Sequence, residues 1–188
     1  MASLLEIAEL AWEQMFPVPT DEVPISRESF IATAKSEYAY QFLLWYWKEK
    51  AIEGVFNMPA ELSTEVELPV VDNEMDISDL DIMSRLPNDI WLQVIGGLVC
   101  DCKYIKSNIN QTQLLCDDDS LPDTYKTYLI IGKKIIFPKG VHKTPLSIIY
   151  ANSGKSIGDD VEVMPEIGAI VRTRLVEIYG GKIGNEDK

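Results

Sequence analysis

Apolar residues recur at helical intervals in four stretches of the chain and at strand-like intervals through much of what lies between the second and the last of them. The first helical stretch opens on Ser3 and Glu6, the spacing of a capping box, and carries Leu4, Ile7, Ala8, Ala11, Trp12 and Met15 before Pro17 and Pro19 interrupt it. This pattern predicts a helix over 4–15. The segment 16–24 holds three prolines and is expected to be extended and stiff. Ser26 is a good cap for the longest periodic run, and Ile25 and Phe30 stand at the spacing of a hydrophobic staple. Phe30, Ala34, Tyr38, Phe42 and Tyr46 then repeat every fourth residue, predicting a helix over 27–53, about 40 Å long at 1.5 Å per residue, with Gly54 ending it. The last periodic run, 165–179, starts at Pro165 and places Ile167, Ile170, Val171, Leu175 and Ile178 on one side before Gly180 and Gly181.

Between the second and last helices the period shortens. Residues 55–81 show little pattern beyond a short strand over 65–71, broken by Pro69. They also carry Glu61, Glu65, Glu67, Asp72, Glu74, Asp76, Asp79 and Asp81, and so read as an acidic excursion. Pro87, Asp89, Ile90, Trp91, Val94 and Ile95, closed by Gly96–Gly97, predict a fourth helix over 87–96. An extended run over 98–106 follows, then an acidic loop at Asp117–Asp119. Strands over 125–131 and 134–137, joined through Gly132–Lys133, form a hairpin, and 146–151 extends the same sheet. The expectation is a single α+β domain over 1–188: a helical bundle with one long helix, and a small antiparallel β-sheet inserted over about 98–151. No fixed-period repeat is present, which argues against a solenoid.

Composition narrows the class. With 188 residues, 46% hydrophobic and 25% charged, the chain can bury a core of ordinary size. Its 30 acidic against 17 basic residues leave a net charge of -13, which repels phosphate and disfavours nucleic-acid reading through a basic surface. Three cysteines, Cys100, Cys102 and Cys116, are an odd number, and two are nearly adjacent. That suits a reducing compartment rather than a disulfide framework. The first residues lack the basic and apolar regions of a signal peptide, and nowhere do about 18 apolar residues run together, so neither secretion nor membrane insertion is expected.

Each candidate for chemistry has a plainer reading. Ser153-Gly154-Lys155-Ser156 resembles part of a phosphate-binding loop. However, Ile149 stands where the full motif needs its first glycine, and Gly158-Asp159-Asp160 replaces the helix, so a surface turn is expected. Asp117–Asp119 with Asp123 offers oxygen ligands to a hard cation but lacks the glycine and terminal glutamate of a calcium loop. Cys100, Cys102, Cys116 and His142 do not fall at zinc-ligand spacing, and no signature flanks His142 as a catalytic base. No catalytic, cofactor-binding or metal residue is assigned, and no enzyme is expected. The aromatic surplus on the long helix is different. The stripe from Phe30 to Tyr46 is accounted for by a core, whereas Tyr40, Trp45 and Trp47 wrap onto a second side. Aromatic residues are enriched in interface cores, so these three are candidate subunit-interface residues, with Arg172 and Arg174 as basic complements to the acidic excess.

The order of a long early helix, the segment Leu86-Pro87-Asn88-Asp89-Ile90, a β-rich insertion, then Ile148-Ile149-Tyr150, Met164-Pro165-Glu166, Leu175 and Tyr179, resembles the head-to-tail connector proteins of short-tailed bacteriophages. The similarity is nearest to ring or adaptor proteins of the crAss-like group and covers about 26–179. The resemblance implies a structural virion protein made in the bacterial cytoplasm and assembled in the phage neck as a homo-oligomeric ring, commonly of twelve copies. Such a ring joins the portal protein to tail components and uses no cofactor. DNA passes through the channel of such a ring without specific binding, and an acidic lining, from 61–81 or 117–123, would keep phosphate from adhering. The alternative from another class is an acidic DNA mimic, or other binding protein acting on a host partner.

Overall fold

The computed structural model describes residues 2–17, 25–50, 58–83, 85, 92–96, 103–108, 111, 125–141 and 144–183. The elements in chain order are β1 (Ala2–Ser3), α1 (Leu4–Met15), α2 (Arg27–Lys50), β2 (Ser63–Leu68), β3 (Glu74–Asp76), β4 (Leu92–Gly96), β5 (Lys103–Lys106), β6 (Tyr125–Ile131), β7 (Lys134–Ile136), β8 (Leu146–Ala151), β9 (Glu162–Val163) and α3 (Pro165–Ile183). They fall into two compact units. A helical unit is built from both ends of the chain, Met1–Ile52 and Asn152–Lys188, and a β unit comprises Glu53–Ala151.

In the helical unit, α1 starts where the sequence places it. Ser3 is extended, its hydroxyl accepts from the Glu6 N–H, and the Glu6 carboxylate accepts from the Ser3 N–H, which satisfies two of the amides that a helix start leaves unpaired. The short β1 pairs antiparallel with β9, Ala2 opposite Val163, and the Leu4 and Leu5 amides donate to the carbonyls of Val161 and Asp159. The two chain ends are thereby tied together just before α3 begins. Helix α3 packs against both α1 and α2. All five residues of the α2 stripe, Phe30 through Tyr46, are buried. Phe30 lies edge-on to Trp12 at 5.3 Å and 5.1 Å from the ring of Tyr179, whose hydroxyl is 2.6 Å from Thr33 Oγ1. Aromatic contacts of this kind add stability beyond the area they bury. The α1–α3 crossing is close because Gly168 faces Ile7: a Cβ there would come within 2.7 Å of Ile7 Cδ1.

The β unit has two sheets. In one, β8 is central, with antiparallel β2 on one side and antiparallel β4 on the other. A central strand covered on both sides needs no polar alternation, and Leu146-Ser-Ile-Ile-Tyr-Ala151 has little. The second sheet has the order β3-β7-β6-β5, antiparallel except for the parallel β5–β6 pair. Both sheets share one core of Met75, Ile77, Leu92, Val94, Tyr128, Ile135, Phe137, Leu146, Ile148 and Tyr150. Gly132, at φ 59°, turns β6 into β7. Asp72 (φ 51°) and Asn73 (φ 64°) make a tight turn closed by mutual backbone hydrogen bonds of 2.9 Å between Val71 and Glu74. Asp and Asn tolerate that left-handed geometry better than other residues with a Cβ.

The structure corrects the expected fold class. Among the described residues there are three helices and nine strands in three sheets, rather than a helical bundle carrying one small antiparallel sheet. The sheets take up chain well before residue 98, from β2 onward, and one pairing is parallel. The decisive misreading is the helix over 87–96. Residues 86–91 lie outside those described, and 92–96 is strand β4. Leu92 and Val94 are buried while Ile95 is exposed at a register shift, a period-two pattern in which the β-branched Val94 and Ile95 suit a strand and Gly96 lies at the irregularity. Pairing with the apolar β8 holds 92–96 as a strand. Helix α2 is described to Lys50, so the predicted end at 51–53 lies outside the described residues. Helix α3 continues past Tyr179 to Ile183.

Candidate functional site

The helical unit leaves large apolar side chains in solvent on each of its helices: Leu10 on α1 is 47% exposed, Trp47 on α2 46% and Ile170 on α3 46%. Leu10 borders a groove between α1 and α3. An apolar recess of about 210 Å³ there is lined by Ala2, Ile7, Leu10, Val163, Pro165, Gly168, Ala169 and Arg172. It is contiguous through Ala2 and Leu10 with a depression along the acidic edge of α1, where Glu6, Glu9 and Glu13 stand one helical turn apart. On its other side, Ala169 and Arg172 continue into a shallow hollow with Gln14, Thr173, Val176 and Glu177. Gly168 forms part of its floor, where α3 lies close against Ile7.

The five interface candidates divide by environment. Trp47 is exposed at the end of α2, beside the exposed Lys48. Tyr40 and Trp45 are half-buried, Trp45 with its ring 5.4 Å from that of Phe42. Arg172 and Arg174 are engaged within the chain. Arg172 donates twice to Gln14 Oε1, at 3.2 and 2.9 Å, holding α3 to α1 at the mouth of the groove. Arg174 donates to Glu177 at 2.7 Å and lies 3.8 Å from the carboxylate of Glu37, which is only 1% exposed and also accepts from Gln41 Nε2 at 2.8 Å. A buried carboxylate needs such partners, so Arg174 has a structural task inside its own chain. The groove, with Leu10 and Ala169 on its walls, went unmarked in the sequence. Gly168 inside an otherwise apolar helix was the available signal for a close crossing.

The acidic excursion is partly in view. Glu65 and Glu67 are exposed on the edge strand β2, where charge discourages another strand from adding to the sheet. Asp72, Asp76 and Asp79 are exposed on the turns that follow. Asp76 accepts from the Ser78 N–H at 2.8 Å, and that bond, with Lys134 and Lys133 nearby, holds its carboxyl below the usual carboxylate range. In the core of the same unit, burial pushes the Tyr128 hydroxyl up to about 12, against a smaller opposing hydrogen bond with the Val94 backbone. Neither group is arranged with a second one for proton transfer.

The turn at 153–156 is not a phosphate loop. Gly154, at φ 85°, is buried against α2, its N–H donates to the Asn152 side chain at 3.0 Å, and a Cβ would come within 2.6 Å of Ala39 Cβ and 2.7 Å of the Lys35 carbonyl oxygen. Its amide is already used, and only Lys155 and Ser156 face solvent. Cys100, Cys102, Cys116, His142 and the loop 117–123 lie outside the described residues. Among the described residues no group of three or more His, Cys, Asp or Glu is placed to hold a metal ion, and no helix is long and apolar enough to cross a membrane. No protein-family model matches the chain, and no curated protein matches it.

Proposed function

We propose that this chain is a structural subunit of a homo-oligomeric ring in the neck of a short-tailed phage, set between the portal protein and tail components and traversed by DNA. The observation that carries this reading is the helical unit's unfinished surface. Leu10, Trp47 and Ile170 are each close to half exposed, and Leu10 borders a groove that none of the described residues fills. Where an exposed apolar side chain rims an apolar recess, as Leu10 does, the two together offer a seat for an anchoring side chain of a partner. Identical subunits in a ring meet through two different faces, and this unit has apolar side chains on three helices from which to build them. The net charge of -13 suits a channel that must not retain phosphate. The role is mechanical, with no bound cofactor. The test is to purify phage particles, identify the chain in them by mass spectrometry, and locate it by electron microscopy. A ring at the neck is the expected result, and absence of the chain from mature particles overturns the reading. A monomeric chain that competes with DNA for a host protein would favour the acidic mimic instead.

A further inference from the structure

The groove between α1 and α3 is an apolar recess with carboxylates along one edge, and the exposed end of α2 carries an apolar side chain beside a lysine; among the described residues neither serves the other within one chain. The recess of about 210 Å³ is smaller than the roughly 300–1,000 Å³ of small-molecule sites. It is the size for a single large side chain. Its walls are apolar, from Ile7, Leu10, Val163, Pro165 and Ala169, with Arg172 at the mouth held by Gln14, and the adjoining edge of α1 carries Glu6, Glu13 and the Arg27-paired Glu9. The matching object is a large exposed apolar side chain with positive charge beside it. Trp47 is one, followed by the exposed Lys48, with Glu49 and Lys50 next in sequence.

Trp47 lines none of the three contiguous hollows of its own subunit. Helix α1 is tied to the first half of α2 by the Glu9–Arg27 ion pair and the Trp12–Phe30 contact, and Asp159, whose carbonyl receives the Leu5 amide, pairs with Lys35. Trp47 lies twelve residues past Lys35, about 18 Å farther along the axis. Among the described residues the knob and the hole do not meet on one body, and a second copy supplies the counterpart of each.

We propose that the α1–α3 groove receives the Trp47 end of α2 from a second copy of this chain, with Trp47 in the apolar recess and Lys48 against the Glu6–Glu9–Glu13 edge. The contact is heterologous: each copy offers its knob to one neighbour and its hole to the other, which generates a closed ring or an open chain of subunits. It rests on the ring reading above for its biological setting, but its geometry is testable without phage. Trp is the residue most often found as an anchor at such contacts.

The experiment uses the full-length chain and two exposed substitutions, Trp47→Ala to remove the knob and Ala169→Arg to block the hole, each checked by circular dichroism for an unchanged fold. By sedimentation velocity, wild type is expected to assemble, and each variant alone to need at least about tenfold higher concentration, the loss of one anchoring contact. An equimolar mixture of the two variants is expected to give a 1:1 dimer and nothing larger, because only one intact knob meets one intact hole. The proposal is overturned if wild type stays monomeric, if either variant assembles as wild type does, or if the mixture yields no dimer. Rings formed equally well by both folded variants would place the contact elsewhere while leaving the ring reading intact. Absence of the chain from particles would remove the ring reading while leaving a measured dimer to stand.

Discussion

The two units solve the same packing problem in opposite ways. The helical unit brings backbones close together and uses small residues where they approach: Ala8, Ala11, Ala34 and Ala39 are fully or almost fully buried, Gly168 faces Ile7, and Gly154 lies against α2. The β unit holds two sheets apart with large side chains, Phe137, Ile135, Met75, Leu92 and Ile148 among them, all fully excluded from solvent. Little room is left for added atoms at the helical crossings, whereas removed atoms leave a void between sheets. The units therefore differ in which kind of substitution they fail to absorb.

The largest effect is expected on the β side. Phe137→Ala should cost about 3–5 kcal/mol by opening a cavity beside Tyr104 and Tyr128, whose rings are 5.9 and 6.4 Å away, and chemical denaturation of the full chain measures it. A loss below 1 kcal/mol would show that the sheets collapse onto the space, and the contrast between units would break. On the helical side the informative change is addition. Gly154→Ala meets a backbone carbonyl and a fixed Cβ at a positive φ, so a loss of about 2–3 kcal/mol is expected. Gly168→Ala meets the movable tip of Ile7 and should cost clearly less. Reversal of that order in thermal melts would mean that α3 shifts more easily than the 154 turn.

Alkaline pH probes the β core without mutation. The Tyr128 hydroxyl is raised from 10.0 to about 12 in the folded chain, so its contribution is fully present below pH 10 and is lost as pH rises, when the unfolded state releases its proton first. Stability should fall by about 2–3 kcal/mol between pH 10 and 12, at about 1.4 kcal/mol per unit. Tyr128→Phe should flatten that part of the profile, and an unchanged slope would assign the loss to other groups. The smallest effect is expected at the start of α1, where Ser3→Ala removes one half of the capping box and should cost about 1 kcal/mol. Hydrogen exchange of the first turn of α1 would register it most directly.

Much of the helical unit was legible in advance because helix signals are local. The capping pair Ser3 and Glu6, the 30-34-38-42-46 stripe and Pro165 all act within a turn or two of the chain, and the elements they mark form where expected. The hairpin around Gly132 was legible for the same reason. Strand β4 was not: Leu92-Gln-Val-Ile-Gly96 is too short for its period to exclude a helix, and its identity depends on β8, more than fifty residues away. The candidate surface divides likewise. Trp47 was visible as an aromatic surplus, whereas the recess that Leu10 and Ala169 border appears only when α1 and α3 cross at Gly168.

By itself the sequence determined the positions of the three helices, the acidic balance and the hairpin turn, since capping, periodicity and left-handed glycine geometry are properties of neighbouring residues. The tertiary structure alone decided that 92–96 is a strand, that Arg172 and Arg174 have partners within their own chain, and that a recess lies between the first and last helices. Those outcomes depend on which distant segment supplies a hydrogen-bonding edge, a carboxylate or a facing wall, and on the burial that makes each pairing favourable.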